Sequence, residues 1–142
     1  MNAAEFERLA DHARVLLVKA GFALTDRRGP EAFGDRLVEF RRGTLTVTAI
    51  LEKGQPFLKL SASGLHGSRD IGLWEACMDR KLPSLEPRDF QTDLDMLLLR
   101  LPEFEALFHL GTSELEDCLR SNGDWRFNTR HELGLIKAPT QD

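Results

Sequence analysis

The residues best equipped for chemistry lie near the C-terminus, between positions 124 and 132. This stretch contains two arginines and a histidine, Arg126, Arg130 and His131, among other polar side chains. A guanidinium binds a carboxylate or a phosphate through two parallel hydrogen bonds. These three are therefore the candidate ligand-binding residues if the fold places a pocket beside them. Alternatively, they solvate the outer side of a terminal segment whose Trp125 and Phe127 point inward.

The stretch 61–68 contains three serines and His66 but no catalytic motif. A Ser-x-His spacing does not encode a hydrolase triad, and no GxSxG elbow is present. The two glycines of this stretch are not followed by the Lys-Ser/Thr pair of a phosphate-binding loop. We therefore expect neither hydrolase activity nor nucleotide binding from these residues.

The metal-binding and redox-capable residue types are scattered along the chain. The four histidines show no HxH or HExxH spacing, which argues against a metal site. Cys77 and Cys118 have no CxxC partner and fall at apolar positions of predicted helices, a pattern typical of buried free thiols. The sequence predicts no metal, no cofactor and no catalytic residue.

The composition indicates a single domain over residues 1–142. Of the 142 residues, 42% are hydrophobic and 30% are charged, and a chain of this length can bury a core without a disulfide or a structural metal. No apolar run approaches the roughly 18 residues of a membrane-spanning helix, and charges interrupt the first 22 residues, unlike the core of a signal peptide. We expect a cytoplasmic monomer or homodimer that does not bind membranes.

Charge is distributed unevenly along the chain. Residues 1–62 carry 10 Lys+Arg and 8 Asp+Glu, whereas residues 63–142 carry 9 and 15. Residues 89–117 include eight acids and one arginine, which predicts an acidic surface that repels nucleic acid and accelerates association with a basic protein. The alternative is a solvated helix face that keeps the protein soluble. The partner-binding candidates are Asp93, Asp95, Glu103, Glu105, Glu114 and Glu116.

The first elements of the chain are a helix and a short strand. Between residues 3 and 20, apolar side chains recur at helical spacing. Asn2 and Glu5 predict a capping box at its start, and Gly21 predicts a left-handed stop. Residues 22–25 read as a strand and residues 26–30 as the turn after it.

Two hairpins are predicted next, with loops at Arg42-Gly43 and Lys53-Gly54. In both registers the apolar residues share one face of the sheet, and a slip by one residue would expose them. The resulting pairs are Phe40 with Leu45, Val38 with Val47, Ala49 with Leu58, and Val47 with Leu60.

The opposite face of this sheet contains three apolar residues, Leu37, Ile50 and Phe57. If they are exposed, they form a patch for a partner or a second subunit. If they are buried, the C-terminal segment with Trp125 or Phe127 covers them. Both possibilities follow from the pattern.

Residues 63–142 read as mostly helical. Asp70 caps a short helix, a second helix spans residues 88–101, and Pro102 redirects the chain into a third. A fourth helix begins at Ser113 and is stopped by Asn122-Gly123, before a packed C-terminal segment. The predicted fold is α+β, with an N-terminal helix on a four-stranded antiparallel meander followed by several short helices.

This order of elements resembles the immunity proteins of bacterial polymorphic toxin systems. The capped helix ends in Ala20-Gly21-Phe22, residues 34–40 introduce the central strand of the meander, and a leucine-rich acidic helical half follows. The resemblance implies a single acidic domain that binds and neutralises a toxin. The chain is also similar to type III secretion chaperones, although those resume strands after a middle helix, whereas residues 70–122 here read as helical.

The sequence therefore favours a non-catalytic protein-binding module that neutralises or escorts a basic protein. In this hypothesis the acidic candidates steer association, and Leu37, Ile50 or Phe57 supplies an apolar anchor. The competing hypothesis is a small-ligand binding protein or enzyme that uses Arg126, Arg130 and His131. A pocket beside these three residues would favour the competing hypothesis, and a flat surface would count against it.

Overall fold

The computed structural model describes residues 1–29, 35–109 and 111–134. Its N-terminal helix, five-stranded antiparallel sheet and further helices confirm the predicted α+β class. None of the helices in these residues combines the length and the apolar character needed to cross a membrane. The elements in chain order are α1 (Ala3–Lys19), β1 (Ala23–Arg28), β2 (Arg36–Arg42), β3 (Leu45–Glu52), β4 (Gln55–Ala62), β5 (Arg69–Asp70), α2 (Ile71–Asp79), α3 (Phe90–Leu99), α4 (Leu101–His109) and α5 (Thr112–Glu132).

Helix α1 begins at the predicted capping box and lies on the sheet. The Asn2 side chain accepts a hydrogen bond from the Glu5 N–H at 2.8 Å, and the Glu5 carboxylate accepts one from the Asn2 N–H. Gly21 follows the helix with a φ of +94°. The buried stripe of the helix joins the core formed by the inner face of the sheet, through Phe6, Ala10, Ala13 and Leu17.

The strands pair in the order β1-β2-β3-β4-β5. The predicted register of the second hairpin is confirmed, since Ala49 pairs with Leu58 across the Lys53-Gly54 loop. The predicted register of the first hairpin is wrong by two residues, because Phe40 pairs with Val47 instead of Leu45.

The position of Gly43 explains this difference. The loop of the first hairpin is Gly43-Thr44 rather than Arg42-Gly43, and Gly43 has a φ of +56°. A two-residue loop with positive φ at its first position favours glycine there. A shift of two residues leaves every side chain on its predicted face, so Phe40 and Val47 remain in the core.

Both edges of the sheet differ from the prediction. β1 continues to Arg28, through residues expected to form a turn, and its register shifts between Leu24 and Asp26, which marks a bulge. The fifth strand, β5, was not predicted. It contains two residues, Arg69 and Asp70, which pair with β4 and lead directly into α2.

The C-terminal half of the described chain also corrects the prediction. α5 is one helix of 21 residues that continues through Asn122-Gly123 instead of stopping there. Its buried residues are Leu115 and Leu119. The expectation that Phe127 points inward is wrong, since 51% of its surface is exposed. The part of the C-terminal segment beyond residue 134 lies outside the described residues.

The two cysteines are not the free thiols that the sequence suggested. Cys77 in α2 and Cys118 in α5 form a disulfide, with their Cα atoms 6.1 Å apart. Both occupy the apolar positions that were predicted, since Cys77 is buried and Cys118 packs against the core. Apolar positions in the core are therefore compatible with a disulfide, and the spacing of the two cysteines in the sequence does not indicate one.

Trp74 connects α2 to the sheet and to α4. Its side chain is completely buried, and the indole Nε1–H donates to the Leu60 carbonyl oxygen of β4 at 3.0 Å. Its ring meets the Phe104 ring edge-on, with the ring centroids 6.2 Å apart. A large aromatic residue with its polar atom satisfied contributes both apolar burial and orientation.

We expect Trp74→Phe to lower the free energy of unfolding by about 2 kcal/mol. The substitution removes the hydrogen bond to Leu60 and leaves a void beside Phe104. Urea unfolding followed by circular dichroism would measure the change. The control is Val15→Ala, at a residue 55% exposed on α1. Equal stability of Trp74→Phe and the wild type would contradict this role of Trp74.

Candidate functional site

A pocket of about 460 Å³ lies where α5 meets α2 and the edge of the sheet. This volume falls within the range of small-molecule sites, about 300–1,000 Å³. We call it the α2–α5 pocket. Its walls come from β4, from the β5–α2 junction, from the connection between α2 and α3, and from α5. Its lining includes Phe57, Asp70, Glu75, Leu82, Ser84, Arg88, Phe90, Asp93, Arg126 and Arg130.

Arg126 is held in place by Asp70. Its two terminal nitrogens donate to the two carboxylate oxygens of Asp70, at 2.9 Å and 2.5 Å, across 56 residues of sequence. Burial alone would raise the pKa of Asp70, but the hydrogen bonds and the charge of Arg126 outweigh burial, so the pKa lies below its usual value. This bidentate pair fixes α5 against the start of α2.

Arg130 lies one helical turn further along α5 and is held differently. Its Nε–H donates to the Leu85 carbonyl oxygen at 2.7 Å. Among the described residues, no carboxylate lies within 4 Å of its guanidinium, whereas in the same pocket Arg126 has one such carboxylate and Arg88 has two. Burial and then the neighbouring charge of Arg126 lower the pKa of Arg130, partly offset by Asp70. Its positive charge is therefore only partly compensated.

Arg88 joins two further carboxylates of the pocket lining. Its Nε–H donates to Asp93 and one terminal nitrogen donates to Glu75, each at 2.9 Å. Asp93 is only 7% exposed. Its burial raises the pKa of the carboxyl to about 6, even though Arg88 opposes the shift.

Apolar side chains complete the pocket and continue to its mouth. Phe90 is buried, whereas Phe57 and Leu82 are 41% and 58% exposed. The pocket thus combines charged groups that are mostly paired with an apolar wall that is partly open to solvent. Such a site suits a ligand with one charged group and an apolar portion.

The structure places two of the three C-terminal ligand-binding candidates in the pocket and the third outside it. Arg126 and Arg130 line the α2–α5 pocket, as the competing hypothesis required, whereas His131 is exposed and does not line it. Residues 126 and 130 are one turn apart and share a helix face, while residue 131 is rotated away from it. Helical spacing could have separated His131 from the arginines, but the sequence had suggested that the helix stops before them.

The six acidic candidates do not form one open surface. Asp93 is buried in the α2–α5 pocket, so it cannot face a partner. Three others form ion pairs within the chain: Glu103 with Arg100, Glu105 with Arg42, and Glu116 with Arg69. Asp95 and Glu114 are exposed, and Asp95 accepts a hydrogen bond from Gln91. Steering of a basic partner by these carboxylates stays a prediction.

The apolar patch candidates form one row across the outer face of the sheet. Leu37 pairs with Ile50, and Ile50 pairs with Phe57. None of the three belongs to the core or packs against it. Phe57 is exposed and the other two are half-buried, and Phe57 also lines the α2–α5 pocket. Trp125 and Phe127 do not join the core either.

The search for metal-binding clusters and the comparisons with known proteins add nothing to the description of the site. Within the described part of the chain, no group of three or more His, Cys, Asp or Glu side chains is arranged to hold a metal ion. Comparison of the chain with protein families, curated proteins and solved structures found no match.

Asp93 gives the protein a measurable pH dependence. Its pKa in the folded protein, about 6, lies above the ordinary value of 3.8. Between these values the folded protein holds a proton that the unfolded chain has released, so the contribution of Asp93 to stability falls as pH rises through this window. We expect the free energy of unfolding of the wild type, relative to Asp93→Asn, to decrease from about pH 4 to about pH 6 and then level off.

Urea unfolding of both proteins between pH 4 and pH 8 would measure this difference. Asp95→Asn, at an exposed residue of the same helix, controls for the loss of one negative charge. If the difference in free energy of unfolding between wild type and Asp93→Asn stays constant over the whole pH range, the pKa of Asp93 is not shifted.

Proposed function

We propose that the protein binds a small molecule that carries an anionic group and an apolar portion, in the α2–α5 pocket. One observation carries the proposal: Arg130 lines this pocket without a carboxylate partner among the described residues. A half-buried guanidinium of this kind gains more from a bound anion than an exposed one, because solvent screens it less.

The position of Arg130 supports binding through both of its terminal nitrogens. The bond from Nε to the Leu85 carbonyl orients the guanidinium and leaves both terminal nitrogens for a carboxylate or phosphate. The charge of Arg126 is already paired with Asp70, to which both of its terminal nitrogens donate, so Arg126 offers an anion less uncompensated charge than Arg130 does. Arg130 is therefore the anion receptor, and Arg126 is a positioning residue.

The remaining lining residues favour binding over catalysis. Phe57, Leu82 and Phe90 offer apolar surface to the rest of the ligand. Among the described lining residues, Ser84 is the only hydroxyl or thiol group, and no histidine accompanies it as a base. We therefore assign a binding function without a chemical step.

Titration with 4-phenylbutyrate tests the proposal, because this probe joins a carboxylate to an aromatic ring. We expect isothermal titration calorimetry to detect binding to the wild type, and Arg130→Gln to weaken it about tenfold or more. A hydrogen bond to a charged group contributes about 1.5–3 kcal/mol, and each 1.4 kcal/mol is a factor of ten. Acetate and 4-phenylbutanol, which each lack one half of the probe, should bind more weakly.

Arg120→Gln is the matched control, since Arg120 is an exposed arginine of the same helix that does not line the pocket. It should leave the affinity for 4-phenylbutyrate unchanged. Binding that is equally strong in wild type and Arg130→Gln would overturn the assignment of Arg130. Failure of phenylbutyrate, phenyl phosphate and octanoate alike to bind would overturn the proposed function.

The second candidate function is the neutralisation or escort of a basic protein, as in immunity-type proteins. The specific observation in its favour is that Asp95 and Glu114 are exposed and have no ion pair among the described residues. Their charge would mainly raise the association rate and its dependence on salt. This candidate is ranked second because three of the other four carboxylates are paired within the chain and Asp93 is buried.

A further inference from the structure

Several contacts hold α5 against α2, and they follow one another along both helices. One of them is a hydrogen bond from Asn122 Nδ2 to Cys77 Sγ at 3.3 Å. The Cys77–Cys118 disulfide joins the last turns of α2 to the first half of α5. In the middle, a Cβ placed on Gly123 would lie 3.6 Å from Leu73 Cδ1, so the two helices are close there. At the far end, Arg126 binds Asp70, the residue before α2. The helices are therefore antiparallel, with one covalent and one ionic contact at opposite ends.

The second half of α5 has little else to hold it. The buried side chains of α5 end at Leu119, and no described residue from position 120 to position 134 is buried. Apolar burial is the main force that docks a helix on its neighbours. Beyond the disulfide, this half relies on the hydrogen bond from Asn122 to Cys77 Sγ, the approach of Gly123, the Arg126–Asp70 pair and the bond from Arg130 to Leu85.

The same two helices both contribute residues to the α2–α5 pocket. Gly72, Glu75 and Ala76 come from α2, and Arg126 and Arg130 come from α5. Arg130 also holds the connection between α2 and α3 through the Leu85 carbonyl. Any displacement of the second half of α5 therefore removes one wall of the pocket and releases part of another.

We propose that the Cys77–Cys118 disulfide is a redox switch for the α2–α5 pocket. In the oxidised protein the disulfide keeps α5 docked and the pocket formed. In the reduced protein the second half of α5 separates from α2, Arg130 leaves the pocket, and anion binding is lost. The ligand part of this proposal rests on the proposed function, whereas the release of the helix does not.

The chemical step is thiol–disulfide exchange with a dithiol reductant. A thiolate of the reductant attacks Sγ of Cys118, the less buried of the two cysteines, and expels the Cys77 thiolate. The second thiolate of the reductant then closes its own disulfide and expels Cys118. The two protons of the reductant pass to the two cysteines, so the protein gains two electrons and two protons. Oxidation by a disulfide reverses these steps.

Hydrogen–deuterium exchange of the 142-residue chain, with and without dithiothreitol, tests the proposed release of the helix. We expect reduction to speed exchange of amides 120–132 at least tenfold and to speed exchange in the connection 80–89. Exchange in α1 should stay unchanged, because α1 packs on β1, β2 and β3. Calorimetry with 4-phenylbutyrate on the same two samples tests the ligand part, and reoxidation should restore binding.

The Cys77→Ser, Cys118→Ser double variant is the matched control. It should behave as the reduced wild type does, and dithiothreitol should have no further effect on it. Faster exchange confined to residues 120–132 and 80–89, with loss of probe binding, supports the switch. The same exchange with no probe binding in either state supports the helix release and counts against the proposed function.

Other results would overturn the proposal. Equal acceleration of exchange in α1 and α5 would show that the disulfide stabilises the whole fold and does not act as a switch for the pocket. Unchanged exchange after reduction would show that the other contacts hold α5 by themselves. Two free thiols per chain in protein purified without reductant and then exposed to oxidised glutathione, counted by mass spectrometry after alkylation, would show that the bond does not form.

Discussion

The arrangement of the second half of the molecule depends on where Trp74 sits. Its indole packs in the core and binds the Leu60 carbonyl of β4, and this fixes the position and rotation of α2 against the sheet. α2 and the residue before it then carry the groups that position everything around the pocket: Asp70 for α5, Glu75 for the connection to α3, and Cys77 for the disulfide. One buried aromatic residue thus sets the geometry of three polar or covalent contacts.

Three arginines line the α2–α5 pocket, and Arg130 differs from the other two in its partners. Burying an unpaired charge is costly, and the protein meets this cost by pairing Asp70 with Arg126 and by placing Arg88 between Glu75 and Asp93. Arg130 has only the Leu85 carbonyl. The Asp70–Arg126 pair and the Glu75–Arg88–Asp93 cluster hold the walls in place, and Arg130 is the one of these three arginines that is left to meet a ligand.

The local parts of the fold were predictable from the sequence, and the distant contacts were not. The capping box at Asn2 and the loop at Lys53-Gly54 depend on residues adjacent in the chain, and both were found as expected. The disulfide joins residues 41 positions apart, and Arg126 reaches Asp70 across 56. Nothing in the spacing of such residues indicates that they meet. The continuation of α5 through Gly123 was unpredictable for the same reason. Glycine disfavours the interior of a helix by about 1 kcal/mol, and the packing of α5 on α2, a distant contact, outweighs this cost.

The bulge and the charges of β1 affect how the molecule behaves beside copies of itself. β1 is the outermost strand of the sheet, and an outermost strand offers unpaired backbone groups to any other chain. Its register shift at Leu24–Asp26 and the consecutive charges Asp26, Arg27 and Arg28 make that edge irregular and costly to desolvate. Strand addition from a neighbouring molecule is therefore disfavoured at this edge, which protects the protein against aggregation at high concentration.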